Sequence, residues 1–143
     1  MKRYMLDTNI ISHLLKGQPA VRERIVAVPI PALSMSAVTW GELSFGVRKR
    51  PEATRLHMAV QELAQRVDVL PWDQNVADVY GLVRATLTNA GITLASLDQM
   101  IFAHAAAVGA VIVTDDRACA PAIEAMKRLG TFPEFELENW ISS

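Results

Sequence analysis

Apolar positions along the chain fall into short continuous runs and longer stripes at helical spacing, and they predict strands and helices in alternation. Arg3–Leu6 reads as a short strand that ends at Asp7. Thr8–Leu15 predicts a helix stopped by Gly17, and Val21–Val28 predicts a second whose continuation Pro29 and Pro31 forbid. Ala32–Met35 is the next strand candidate, followed by a helix from about Ala37 with Ser36 as its N-cap. Pro51 suits the first turn of a further helix, in which Leu56, Val60, Leu63 and Val67 keep the helical period. Val67–Leu70 predicts a short strand. The stripe Val76, Val79, Tyr80, Val83 and Leu87 predicts a helix over 73–89 that Gly91 closes. Ser96 is expected to cap an apolar helix, Leu97–Val108, and Gly109 to turn the chain into the strongest strand, Ala110–Val113. A last helix near Ala120–Leu129 precedes a short extended tail through Phe135–Trp140.

Strands alternating with helices, without a two-residue hairpin signal, predict a parallel sheet covered on both faces. At 143 residues the chain fits one domain able to bury a core without disulfides. Its single cysteine, Cys119, has no partner for an internal disulfide, which points to a reducing cytosol. The longest apolar stretch, Met100–Val113, contains His104 and Gly109 and is too short to span a bilayer, so no membrane role is expected. The net charge of −1 bears on partners. A chain that gripped nucleic acid by phosphate neutralisation alone would be basic, so any such contact must be local or aided by a metal.

The candidate chemistry lies in acids placed where parallel sheets keep their sites, beyond the carboxyl ends of strands. Asp7 follows the first strand and Asp115-Asp116 follow the last strong one. Glu42 sits in a helix of apolar and small residues, where an unpaired carboxylate costs several kcal/mol. Asp98 falls in the first turn of an apolar helix, where the helix dipole favours a negative charge. Each has a structural explanation too: a cap for Asp7, a salt bridge to Arg48 or a solvated tip for Glu42, the dipole for Asp98, a solvated turn for Asp115 and Asp116. Together they would deliver four carboxylates to one crevice, which implies raised pKa values or a hard divalent cation. Oxygen-only donors, without a cysteine cluster or paired histidines, favour Mg²⁺ or Mn²⁺ over Zn²⁺. His104 is expected to pack rather than to ligate. Arg48, Lys49 and Arg50 are candidates for phosphate contacts, or cations that suit a helix C-terminus.

At these residues the chain resembles a PIN domain of the VapC toxin family. The resemblance rests on Met5-Leu6-Asp7-Thr8-Asn9, on Glu42 in Thr39-Trp40-Gly41-Glu42-Leu43, on Leu97-Asp98-Gln99-Met100-Ile101-Phe102-Ala103-His104-Ala105, on Val111-Ile112-Val113-Thr114-Asp115-Asp116, and on the ending Glu138-Asn139-Trp140. Ala95-Ser96 departs from the family's frequent Gly-Pro, and 118–130 is longer and more helical than its usual tail. The resemblance implies a three-layer α/β/α PIN-like domain with a mainly parallel sheet. It also implies a Mg²⁺-dependent endoribonuclease, the toxin of a toxin–antitoxin pair. Carried over residue by residue, it makes Asp7 and Asp98 the direct metal ligands and Glu42 and Asp115 the acids that complete the shell. Asp115 matches the family's position and is favoured over Asp116, although both are within reach. Thr8, Asn9 and Thr114 would orient the ligands or merely cap helices. The implied partners are an RNA substrate, a VapB-like antitoxin, a second copy in a homodimer, and operator DNA through the antitoxin complex. Trp40, Phe45 and Leu56 would suit such surfaces.

Two other enzyme or signalling classes also put an acid after the first strand. An aspartate-based phosphatase needs a second acid two residues later, where this chain has Asn9, and a receiver module needs paired acids and a late lysine that are missing. The alternative within the family is a catalytically silent PIN domain acting through antitoxin and operator binding; the presence of all four acids stands against it.

Overall fold

The computed structural model describes residues 2–141. Five strands, Tyr4–Leu6 (β1), Leu33–Ser36 (β2), Asp68–Leu70 (β3), Val111–Val113 (β4) and Leu137–Glu138 (β5), pair parallel throughout in the order β3-β2-β1-β4-β5. Side chains alternate across a strand, so neighbouring apolar residues must be covered on opposite faces. Met5 and Ile112 accordingly join one core cluster and Leu6 and Val113 the other. Helices Gln74–Asn89 (α5), Ser96–Val108 (α6) and Cys119–Arg128 (α7) cover the first face, with Val83, Leu87, Ile101, Phe102 and Met126 fully buried. Helices Thr8–Leu15 (α1), Pro19–Ala27 (α2), Ala37–Arg48 (α3) and Thr54–Arg66 (α4) supply Ile10, Ile11, Val21, Leu43, Val60 and Leu63 to the second. The result is the expected three-layer α/β/α arrangement.

The chain leaves β1 toward β2 and β3, then crosses to β4 on the other side of β1. The strand order therefore reverses between β1 and β4, and a crevice opens beyond their carboxyl ends at such a reversal. Asp7 and Thr114, the residues that follow these two strands, stand at its floor.

Several local expectations shift. Pro51 does not open a helix: it occupies the second place of a tight turn in which the Ala53 amide donates to the Arg50 carbonyl (3.0 Å), and α4 begins at Thr54. Proline's fixed φ suits that place as well as it suits a first helical turn. Ser96 is the first residue of α6 and not its cap, because the first helical bond runs from the Gln99 amide to the Ala95 carbonyl (2.8 Å). The tail contains a fifth strand, β5, whose two residues pair with Ile112 and Val113. Beyond it Trp140 is buried, its indole donating to Glu138 (2.9 Å) and its ring lying against Tyr4 and under Arg24. Helix α3 is less enclosed than its composition suggests, since Phe45 is 65% exposed and only Thr39 and Leu43 are buried. Among the described residues no helix is long and apolar enough to cross a membrane.

Candidate active site

Asp7 is 1% exposed, an unusual place for a carboxylate with no cation beside it. It caps α1: Oδ1 accepts from the Thr8 amide (2.8 Å), and Oδ2 accepts from the Thr114 hydroxyl (2.8 Å). The Thr114 oxygen in turn accepts from Asn9 Nδ2 (3.2 Å) and from the Asp116 amide (3.0 Å), while Asn9 Oδ1 accepts from the Asp115 amide (3.1 Å). The strand ends β1 and β4 are thus laced together by side chains, and the Asp7 carboxylate is fixed in one orientation. Thr8, Asn9 and Thr114 belong to this lacing, so capping and orienting are one arrangement.

Burial pushes the Asp7 carboxyl up to about 6; the Thr114 and Thr8 hydrogen bonds work against that shift, and the charges of Asp98 and Asp116 add to it. Asp98, half-buried at the start of α6, is raised as well, by burial first and then by Asp116 and Glu42. Glu42 projects from the second turn of α3, half-buried, and its Oε1 accepts from the Thr8 hydroxyl (2.7 Å), which also meets Thr39 Oγ1 (3.3 Å). The salt bridge to Arg48 considered for Glu42 is not formed, because Arg48 donates to Ser44 instead (3.3 Å).

Asp7, Glu42 and Asp98 come together at one end of the sheet: Thr8 links Asp7 to Glu42, the Asp98 charge acts on Asp7, and the Glu42 charge acts on Asp98. The fourth acid in their field is Asp116, whose charge raises both Asp7 and Asp98. The Asp115 carboxylate lies at the rim: Oδ1 accepts from Asn139 Nδ2 (3.0 Å), and Oδ2 stands 3.8 Å from His13 Nε2. The preference for Asp115 thus meets a geometry that turns its side chain outward. In the side-chain turn at Thr114 the hydroxyl accepts from the Asp116 amide, and Asp116 Oδ1 accepts from the Ala118 amide (3.0 Å). A threonine at a strand end followed by two acids was the available signal. Sequence reading also missed Thr39 as a partner of Thr8 and Asn139 as a partner of Asp115. His104 is buried and packs away from the acids, as expected, with Nδ1 2.8 Å from Ser36 Oγ.

The donor set suits a hard cation. Every candidate donor is a carboxylate oxygen, and among the described residues no Lys or Arg pairs with Asp7, Glu42, Asp98 or Asp116. Among those residues no three acidic, histidine or cysteine side chains stand close enough to ligate one ion together. An ion that keeps several waters, as Mg²⁺ does, matches so open a set.

Comparison with known proteins agrees with this layout. The PIN domain family model matches residues 4–123. The "tRNA(fMet)-specific endonuclease VapC" of Shigella flexneri is 37% identical over 117 residues, covering 81% of this chain and 88% of the relative. The "Ribonuclease VapC1" of Haemophilus influenzae (strain R2866) is 34% identical over 116 residues, covering 78% and 84%. Among solved structures, DNA-bound VapBC from Salmonella typhimurium superposes with a TM-score of 0.78 at 30% identity, covering 98% of this chain and 99% of that one. With its acids at the reversal between β1 and β4 and the match running through every motif that carries them, the chain belongs to the PIN-domain family, among the VapC ribonucleases.

Proposed function

We propose that the chain is a metal-dependent endoribonuclease and the toxin of a toxin–antitoxin pair, hydrolysing RNA phosphodiester bonds in the crevice of Asp7, Glu42, Asp98 and Asp116. The observation that carries this reading is Asp7: a buried carboxylate, oriented by hydrogen bonds from Thr8, Thr114 and Asn9 and pushed up to about 6, with no Lys or Arg among the described residues paired to it. Natural folds rarely keep such a group for stability alone. Asp7 and Asp98 would hold Mg²⁺, or Mn²⁺ in its place, and Glu42 and Asp116 would complete the shell through water. A bound ion supplies a water of lowered pKa and positive charge against the phosphate. The chain's own residues do the rest. Thr8, itself bonded to Thr39, holds Glu42, Thr114 and Asn9 hold Asp7, and a cation bound there would favour the ionised form of the raised Asp7 and Asp98 carboxyls. Asp115 belongs to the rim in this reading, with His13 and Asn139.

The family also supports a cytosolic setting, an antitoxin of the VapB kind covering the crevice, a homodimer, and operator binding through the complex. Solved relatives include VapBC assemblies, one of them bound to DNA. The relative from Shigella flexneri makes tRNA(fMet) the first substrate to try.

The test is cleavage of total RNA and of tRNA(fMet) by purified, antitoxin-free protein, with Mg²⁺, with EDTA, and with Asp98→Asn. Discrete fragments that require both the metal and Asp98 are expected. Fragments that persist in EDTA or in the variant would remove the site assignment, and no cleavage by folded protein would shift the reading to a binding role.

A further inference from the structure

Helix α1 leads away from the acids. Thr8, Ser12 and Lys16 are four residues apart and follow one flank of the helix, each step advancing about 6 Å. At the near end Thr8 holds Glu42. At the far end Ser12 and Lys16 border an open cavity of about 630 Å³, whose other side is the α3–α4 turn and the start of α4. Arg50 and Arg55 line it from there, and Leu15 and Leu56 give it an apolar part.

Lys16, Arg50 and Arg55 are exposed, and among the described residues none of them enters an ion pair. Glu52 is the one acid in the lining and pairs with none of them. Lys16 caps the C-terminus of α1, where a cation is favourable, but Arg55 is the second residue of α4, where the helix dipole disfavours it. Helix stability therefore does not account for the set. Nor are all nearby cations alike: Arg48 bonds Ser44, and Lys49 lies over the Phe45 ring at 5.1 Å, so of the three consecutive cations only Arg50 reaches the cavity.

We propose that this cavity is a backbone subsite for an RNA strand entering or leaving the acid crevice. Lys16, Arg50 and Arg55 neutralise successive phosphates, and Leu15 and Leu56 take ribose or base faces. The inference rests on the nuclease reading and answers how a chain of net charge −1 grips a polyanion: it concentrates three unpaired cations in one groove beside the site.

The experiment measures binding of a labelled single-stranded RNA to Asp98→Asn protein in Mg²⁺ at several KCl concentrations. It compares that parent with the same protein carrying Lys16→Gln, Arg50→Gln and Arg55→Gln. Affinity should fall about tenfold or more at low salt, and the slope of log K against log salt should become shallower by about 2, at roughly 0.7 per phosphate. On the wild-type background the triple change should raise KM and leave kcat in place. A paired control, Arg48→Gln with Lys49→Gln, should move the slope little. An unchanged slope and KM in the triple variant overturns the subsite, and so does an equal effect in the control. Loss of antitoxin binding with RNA binding intact would assign the cavity to the antitoxin instead and overturn it too. A parent that neither binds nor cleaves RNA brings down the nuclease reading itself, a result independent of the three cations.

Discussion

The molecule treats its carboxylates in two opposite ways. At the β5 edge, Glu136 bonds Lys2 (2.9 Å), and Glu138 bonds Arg24 (2.8 Å) and the Trp140 indole (2.9 Å). At the mouth between β1 and β4, Asp7, Glu42, Asp98 and Asp116 gather without a Lys or Arg among the described residues, and burial raises two of them. The first group ties down β5; of the second, Asp7, Glu42 and Asp116 are held by hydroxyls and amides. Hydrogen bonds orient a carboxylate without cancelling its charge, so on the proposed reading these acids keep their field for a cation from outside. On the proposed reading the paired acids at β5 belong to the fold and the unpaired ones between β1 and β4 to the chemistry.

The sharpest break of this comparison sets the two adjacent acids against each other. Asp116→Asn should lower RNA cleavage by more than about 100-fold, beyond the range usual for residues that only support a metal ligand. Asp115→Asn, at the rim, should stay within about tenfold of the native rate. Initial rates on one RNA substrate decide it, and the reverse order would return the fourth place to Asp115.

The next effect is on stability and has a definite sign. The native Asp7 carboxyl is raised from its ordinary value to about 6, so the native state holds a proton that the unfolded chain has already released. The stabilisation of the protonated form is fully present below about pH 4 and lost as pH rises toward 6. Its full size is about 3 kcal/mol. Metal-free protein should therefore lose stability across that window. Asp7→Asn should flatten the loss and match or exceed the native stability at pH 7, while abolishing cleavage. Urea melts at pH 4, 5, 6 and 7 in EDTA provide the check, and a wild-type profile that rises over the window would contradict the assigned environment.

The smallest effect belongs to the paired acids. Arg24→Met should cost about 1 kcal/mol, because the Glu138 pair is partly exposed and the guanidinium also covers Trp140. Cleavage should be unchanged. A large activity loss in that well-folded variant would erase the distinction between the two groups of acids.

Much of this was legible along the chain. The helical stripe of α5, Gly109 in the left-handed region after α6, and Asp7 at the end of a strand each depend on a few neighbouring residues. Local sterics and apolar periodicity act over that range and need no tertiary information. For the same reason the α/β order and the placement of acids at strand ends could be anticipated. The turn at Pro51 and the start of α6 were misplaced because proline and serine each suit more than one local position.

Other features required the folded chain. Asp115 and Asp116 are chemically identical neighbours, and only the bonds from Asn139 and to Thr114 decide which carboxylate turns outward. Glu42 finds Thr8 across 34 positions, and Lys16 meets Arg50 and Arg55 across a cavity bordered by α1, the α3–α4 turn and the start of α4. The two residues of β5 become a strand because β4 offers an open edge to pair with. Periodicity determined which segments were helices or strands and which faces they buried; packing alone decided which polar groups met, since that depends on the distances between segments remote in the chain.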